Sequence, residues 1–132
     1  MNVGLWVIQI LLTVQFLIHG FIMLAPPADP PLMLQYVSDV PTGFRVFIGL
    51  AELVAAAGLI LPGLTKIQPR LTPLAALGLM FIMAGAAIFH LQRGEPIGGN
   101  IVLFILAALV AYGRWRVSPL RGRLVEKPAF RG

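Results

Sequence analysis

Four long apolar runs, separated by short stretches rich in proline, glycine and charge, set the pattern of this chain. The first goes from about Val3 to Leu24 and ends in Ala25-Pro26-Pro27. It has no positive leading segment and is too long for the apolar part of a signal peptide, so it is expected to stay as a span. The second, Phe44 to Leu61, runs into Pro62-Gly63, which reads as a helix stop. The third is Leu71 to Leu91. The fourth, about Gly99 to Trp115, is the shortest at roughly 16 residues and suits a perpendicular helix or a locally thinned bilayer. Lipid offers no partner to an unpaired amide, so each run is expected to be helical. The pattern predicts an all-α fold, a transmembrane four-helix bundle over residues 1–116, with a basic tail at 117–132.

The connections differ in kind. Residues 25–43 hold five prolines with Asp29, Asp39 and Gly43, and proline at that density forbids a continuous helix. The piece Leu32–Val40 (LMLQYVSDV) keeps apolar side chains and is expected at the interface as a short turn of helix or an extended strip. Between the second and third runs lies a short polar link with Lys66, Gln68 and Arg70. Small residues crowd the second and third runs, from Gly49 to Gly58 and from Ala75 to Ala87. They permit close backbone approach, so these two helices are expected at the centre of the bundle.

Composition turns this pattern into a membrane assignment. Of 132 residues, 58% are hydrophobic and 11% charged, against about 45–50% and about 25% in soluble domains. A soluble fold of this size could not hide so much apolar surface. The absence of cysteine removes disulfides, thiolate nucleophiles and Cys-ligated metal sites within the chain. Charge sets the orientation. Six of the ten basic residues follow the last run: Arg114, Arg116, Arg121, Arg123, Lys127 and Arg131. With four spans they share a side with Lys66 and Arg70, giving eight against two, Arg45 and Arg93, on the other. Both termini are therefore expected to be cytoplasmic, as in a multi-pass protein of a bacterial-type plasma membrane. The tail is expected to lie on anionic headgroups. It lacks the interleaved aromatics of a nucleic-acid surface, so no nucleic-acid partner is expected.

Polar groups inside the spans are the candidates for function. Glu52 falls near the middle of the second run, and Arg45, Gly49, Glu52 and Ala56 share one helix face. An intramembrane carboxylate is costly and normally faces the bundle interior. In the first run Gln15 and His19 stack four apart. His90 closes the third. Given the expected topology, Gln15, His19, Arg45, Glu52 and His90 converge in the outer half of one bundle and form the candidate ligand or partner site. Plainer roles remain open: Glu52 as a neutral acid locking helices through His19 or Gln15, His19 as interhelical glue, His90 as an interface marker. A metal held by two histidines and a glutamate would lack any carboxylate behind the ligands, so no metal is expected. No phosphate loop, Ser–His–Asp set or pair of membrane carboxylates occurs, and no self-sufficient catalytic constellation is expected.

The stretches FRVFIGLAELVAAAGLILPGL (44–64), QPRLTPLAALGLMFIMAGAAIFHLQRGEP (68–96) and NIVLFILAALVAYGRWR (100–116) resemble the DoxX-like family of small four-helix membrane proteins. In that resemblance the family's intramembrane glutamate corresponds to Glu52 and its third-span histidine to His90. A lysine that members often carry three residues after a first-span glycine is absent, because Gly20 is followed by Met23. His19 can take its place as the partner of Glu52. The family includes a subunit associated with a quinone-reducing sulfur-oxidation complex, members tied to oxidative-stress complexes, and an animal branch that assists receptor assembly. The resemblance implies an accessory subunit of a membrane redox or quinone-linked complex, with quinone or lipid as the ligand. The alternative is an assembly chaperone that docks transmembrane helices of another membrane protein or a second copy.

Overall fold

The structure is a computed structural model in which residues 2–121 are described. Arg123, Lys127 and Arg131 of the expected tail lie outside the described residues. Helix α1 spans Asn2–Leu24, a single short helical turn α2 spans Tyr36–Asp39, and the long helices α3, α4 and α5 span Thr42–Thr65, Leu71–Gln92 and Gly98–Tyr112. A 3-10 turn, Leu32–Leu34, precedes α2, and a π turn, Gly113–Val117, continues α5. Among the described residues there is no strand. The connector between α1 and α3 is thus broken into two short helical turns, as its prolines require.

Four helices, α1, α3, α4 and α5 with its π turn, are long and apolar enough to cross a membrane. The fourth is 20 residues, Gly98–Val117, longer than its sequence suggested because the π turn carries it on. At about 1.5 Å per residue this reaches across a hydrocarbon core of about 30 Å without thinning.

The four form a ring in which α1 packs most extensively on α3 and α4 on α5, with α3–α4 and α1–α5 closing the circuit. The expected central pair of α3 and α4 is therefore only one side of the ring. What fills the middle is a shared core that includes Leu12, Phe16, Ala56, Leu59, Leu79 and Val110. The outside is apolar as well, with Val54 72% and Phe81 73% exposed. Apolar side chains on both faces of a helix leave no hydrophobic driving force between helices in lipid, so close packing and interhelical hydrogen bonds hold the bundle.

The small residues show how. A Cβ on Gly49 would lie 2.9 Å from the Gly20 carbonyl oxygen, and one on Gly20 would lie 3.0 Å from that of Gly49. Backbone meets backbone where α1 and α3 cross.

Pro62 and Gly63 do not stop α3, which continues to Thr65 and ends at Lys66 in the left-handed conformation. Proline lacks the N–H that would bond the carbonyl four residues back. Here that carbonyl, of Gly58, accepts from Thr72 Oγ1 of α4 at 3.0 Å, and the next one, of Leu59, accepts from Gln9 Nε2 of α1 at 2.5 Å. A neighbouring helix thus satisfies the freed Gly58 carbonyl, which is how lipid-embedded helices tolerate proline.

Arg114 also departs from its expected place. It does not lie on headgroups with the tail but is 2% exposed inside the bundle. Its Nε donates to Gln9 Oε1 at 2.6 Å and its Nη1 to Asn2 Oδ1 at 2.6 Å and the Ser118 carbonyl at 2.9 Å. The guanidinium also rests over the Trp6 ring, 5.4 Å from its centroid. Arg114 ties the last helix to the first.

Candidate functional site

At the opposite end of the bundle from Arg114 lies a cavity of about 1150 Å³. Its walls are apolar and include Phe16 of α1, Phe44 and Phe47 of α3, and Phe81 and Phe89 of α4. The 3-10 turn and α2 lie across it, contributing Leu32 to Tyr36. This volume is above the usual range of small-molecule sites, about 300–1,000 Å³, and an apolar wall with few polar groups is their usual character.

The polar groups form one connected chain. Glu52 is 0% exposed. Its Oε2 is 2.7 Å from His19 Nδ1, and His19 Nε2 is 2.5 Å from the Tyr36 hydroxyl. The α1–α3 crossing produces the first of these contacts, because His19 adjoins Gly20 and Glu52 lies one turn beyond Gly49. Tyr36 then meets the edge of the His90 ring at 4.6 Å between centroids. His90 Nδ1 is 2.7 Å from Glu95 Oε2, Glu95 is paired with Arg93, and Arg93 Nη1 donates to Asp39 Oδ2 at 2.5 Å. The chain therefore leads from a buried carboxyl, through the connector, to the surface at the α4–α5 turn.

That turn depends on Gly94, whose φ of +70° is a conformation that side-chain-bearing residues rarely adopt. It lets the Glu95 amide donate back to the His90 carbonyl at 2.9 Å and returns the Glu95 carboxylate to the same residue's ring. Arg93 and, after it, His90 hold the Glu95 carboxyl below its ordinary value by hydrogen bonding. Glu95 and Asp39 raise Arg93 in turn. Burial first, and then the charges of Glu52 and Glu95, push the Tyr36 hydroxyl up to about 12.

Of the residues singled out from sequence, Gln15, His19, Glu52 and His90 all line this one cavity. Arg45 does not. It is half-buried and donates from Nη1 to the Met23 carbonyl, closing the C-terminal end of α1. Sequence reasoning missed Tyr36, Glu95, Arg93 and Asp39 as members of the cluster. A tyrosine amid LMLQYVSDV and an acid five residues after His90 were the available signals. Neither has meaning until the connector folds back over the cavity.

The model of the DoxX-like family matches residues 7–113. The chain belongs to the DoxX-like family. This span takes in α3, α4 and α5, α1 from its sixth residue on, and every residue of the polar chain described above. No curated protein and no solved structure matches this DoxX-like protein. Membership, with four apolar helices, makes it a multi-pass membrane protein.

Proposed function

We propose that this DoxX-like protein is an accessory subunit of a redox- or quinone-linked membrane complex and holds a hydrophobic small molecule of the quinone class in the cavity beside Glu52. One observation carries the reading: a large apolar-walled cavity has a buried carboxylate at its inner side, and that carboxylate has one oxygen engaged and the other without a partner among the described residues. A purely structural acid would have both oxygens satisfied, since a half-paired buried group costs free energy. His19 has both nitrogens engaged, while His90 has Nδ1 taken by Glu95 and Nε2 without a partner among the described residues, so Glu52 and His90, rather than His19, are the groups left to meet a ligand.

Eight basic residues on one side against two on the other support an orientation with both termini in the cytoplasm. In that orientation the cavity opens in the outer half of a bacterial-type plasma membrane, where an isoprenoid-tailed ligand would enter from lipid.

The test uses purified protein in nanodiscs and calorimetric titration with a decyl-tailed benzoquinone, presented in oxidised and in reduced form. The unmodified protein is expected to bind at least one form at micromolar concentration. Ala86→Trp, which sets a bulky ring on the cavity wall, is expected to weaken binding strongly while elution volume is unchanged. If the unmodified protein binds neither form, the ligand reading fails.

A second reading, an assembly chaperone, is favoured by Gly78 and Gly85, which are exposed on α4 with nothing packed against them. Such a face suits a transmembrane helix of another protein or of a second copy. Photo-crosslinking from position 81, between them, is expected to trap a defined membrane partner if this reading holds, and lipid alone if it does not.

A further inference from the structure

Two buried polar side-chain atoms have no hydrogen-bond partner among the described residues: Arg114 Nη2 and Glu52 Oε1. They differ in what surrounds them. The Arg114 guanidinium makes three hydrogen bonds, rests on Trp6 and is not among the residues lining the cavity. Glu52 lines a cavity of about 1150 Å³. The orphan at Glu52 is the one with room for a ligand beside it.

The hydrogen-bond chain fixes what that atom wants. His19 bridges Tyr36 and Glu52, with Nε2 2.5 Å from the Tyr36 hydroxyl and Nδ1 2.7 Å from Glu52 Oε2. Whichever of the two atoms carries it, one proton lies between Nδ1 and Oε2. The proton of the pair is thus engaged at Oε2, and Oε1, with no hydrogen of its own, is an acceptor. A ligand head with only carbonyl or ether oxygens would set lone pair against lone pair there. The cavity's amides, Gln15, Gln35 and Asn100, carry both donor and acceptor and discriminate neither way.

We propose that the ligand of this cavity carries a hydroxyl on an apolar body, as a quinol, phenol or long-chain alcohol does, and that its O–H donates to Glu52 Oε1. The inference rests on the small-molecule reading above and adds the chemistry of the head group: the reduced member of a quinone/quinol pair, not the oxidised one, is the species held. His19 and Tyr36 are positioning residues. They keep Oε2 engaged and leave Oε1 as the acceptor without a partner among the described residues.

The decisive experiment compares para-nonylphenol with its methyl ether, para-nonylanisole, in calorimetric titrations of the protein in nanodiscs. The two probes differ by the donor proton and one methyl group. Unmodified protein is expected to prefer the phenol by about ten- to a hundredfold, the usual cost of leaving a buried acceptor without a donor. Glu52→Met, which keeps the side-chain length and removes the acceptor, is expected to level the two affinities. Because the comparison in unmodified protein needs no variant, it decides the matter even if Glu52→Met does not fold. Equal binding of the two probes, or tighter binding of the ether, overturns the hydroxyl inference and leaves the cavity as a ligand site. Binding of neither probe overturns both.

Discussion

At the scale of single residues, the polar groups of this protein fall into two clusters at opposite ends of the bundle, and each is a place where a substitution should be felt. Arg114 is held by Gln9, Asn2 and the Ser118 carbonyl. Gln9 in turn donates its amide to the Leu59 carbonyl. Gln9→Leu would orphan a buried cation donor, and is expected to cost about 1–3 kcal/mol, the usual cost of an unsatisfied buried group. Thermal unfolding followed by the fluorescence of Trp6 and Trp115 measures it. In the other cluster, Glu95 is held below its ordinary value by Arg93 and His90. A depressed carboxyl stabilises the fold above its unfolded value and loses that contribution as pH falls through the folded one. The difference in melting temperature between the unmodified protein and Glu95→Gln is therefore expected to be constant near neutrality and to vanish on acidification below the carboxylate range. A difference that persists at low pH would mean the ion pair is not its source. Tyr36, pushed up to about 12, is expected to ionise late in an absorbance titration, and Tyr36→Phe should remove that late step.

At the scale of elements, close approach and carbonyl repair explain why these helices sit where they do. The α1–α3 crossing has no room for a side chain, with the Gly20 oxygen 2.9 Å from where a Gly49 Cβ would be. Gly49→Ala must push the helices apart, and overpacking of this kind costs about 1–3 kcal/mol. It should also lengthen the His19–Glu52 contact, so ligand affinity is expected to fall along with melting temperature. Thr72→Val tests the other device. It removes the donor to the Gly58 carbonyl at nearly constant volume and is expected to cost about 1 kcal/mol. Pro62→Ala in the same background restores the backbone N–H four residues on, and should recover much of that loss.

At the scale of the whole molecule, the natural absence of cysteine makes a single introduced thiol a clean probe of depth and side. Ser38→Cys on the connector and Thr65→Cys at the end of α3 lie at opposite ends of the bundle. An impermeant thiol reagent added to intact cells is expected to label the first and not the second. The reverse pattern would invert the proposed orientation. Glu52→Cys is expected to resist the reagent from either side until the bundle is solubilised and denatured, since the position is 0% exposed.

Hydropathy over the four runs was enough to read four helices, their number and their approximate limits, because lipid leaves a spanning backbone no alternative to internal hydrogen bonding. The same logic picked out Glu52 and its helix face, since an acid at that depth must turn inward. It could not rank His19 above Arg45 as a neighbour. That choice belongs to helix rotation and crossing distance, set by two glycines on different helices meeting backbone to backbone. It also misjudged Pro62 and Arg114. Local rules ended the helix at the proline and sent the arginine to the headgroups, while atoms from α1 and α4 satisfied the one and enclosed the other. Depth and helicity are properties of a segment in its solvent and are written in one dimension. Partnerships between segments depend on which atoms packing brings within reach, and only the folded bundle decided those.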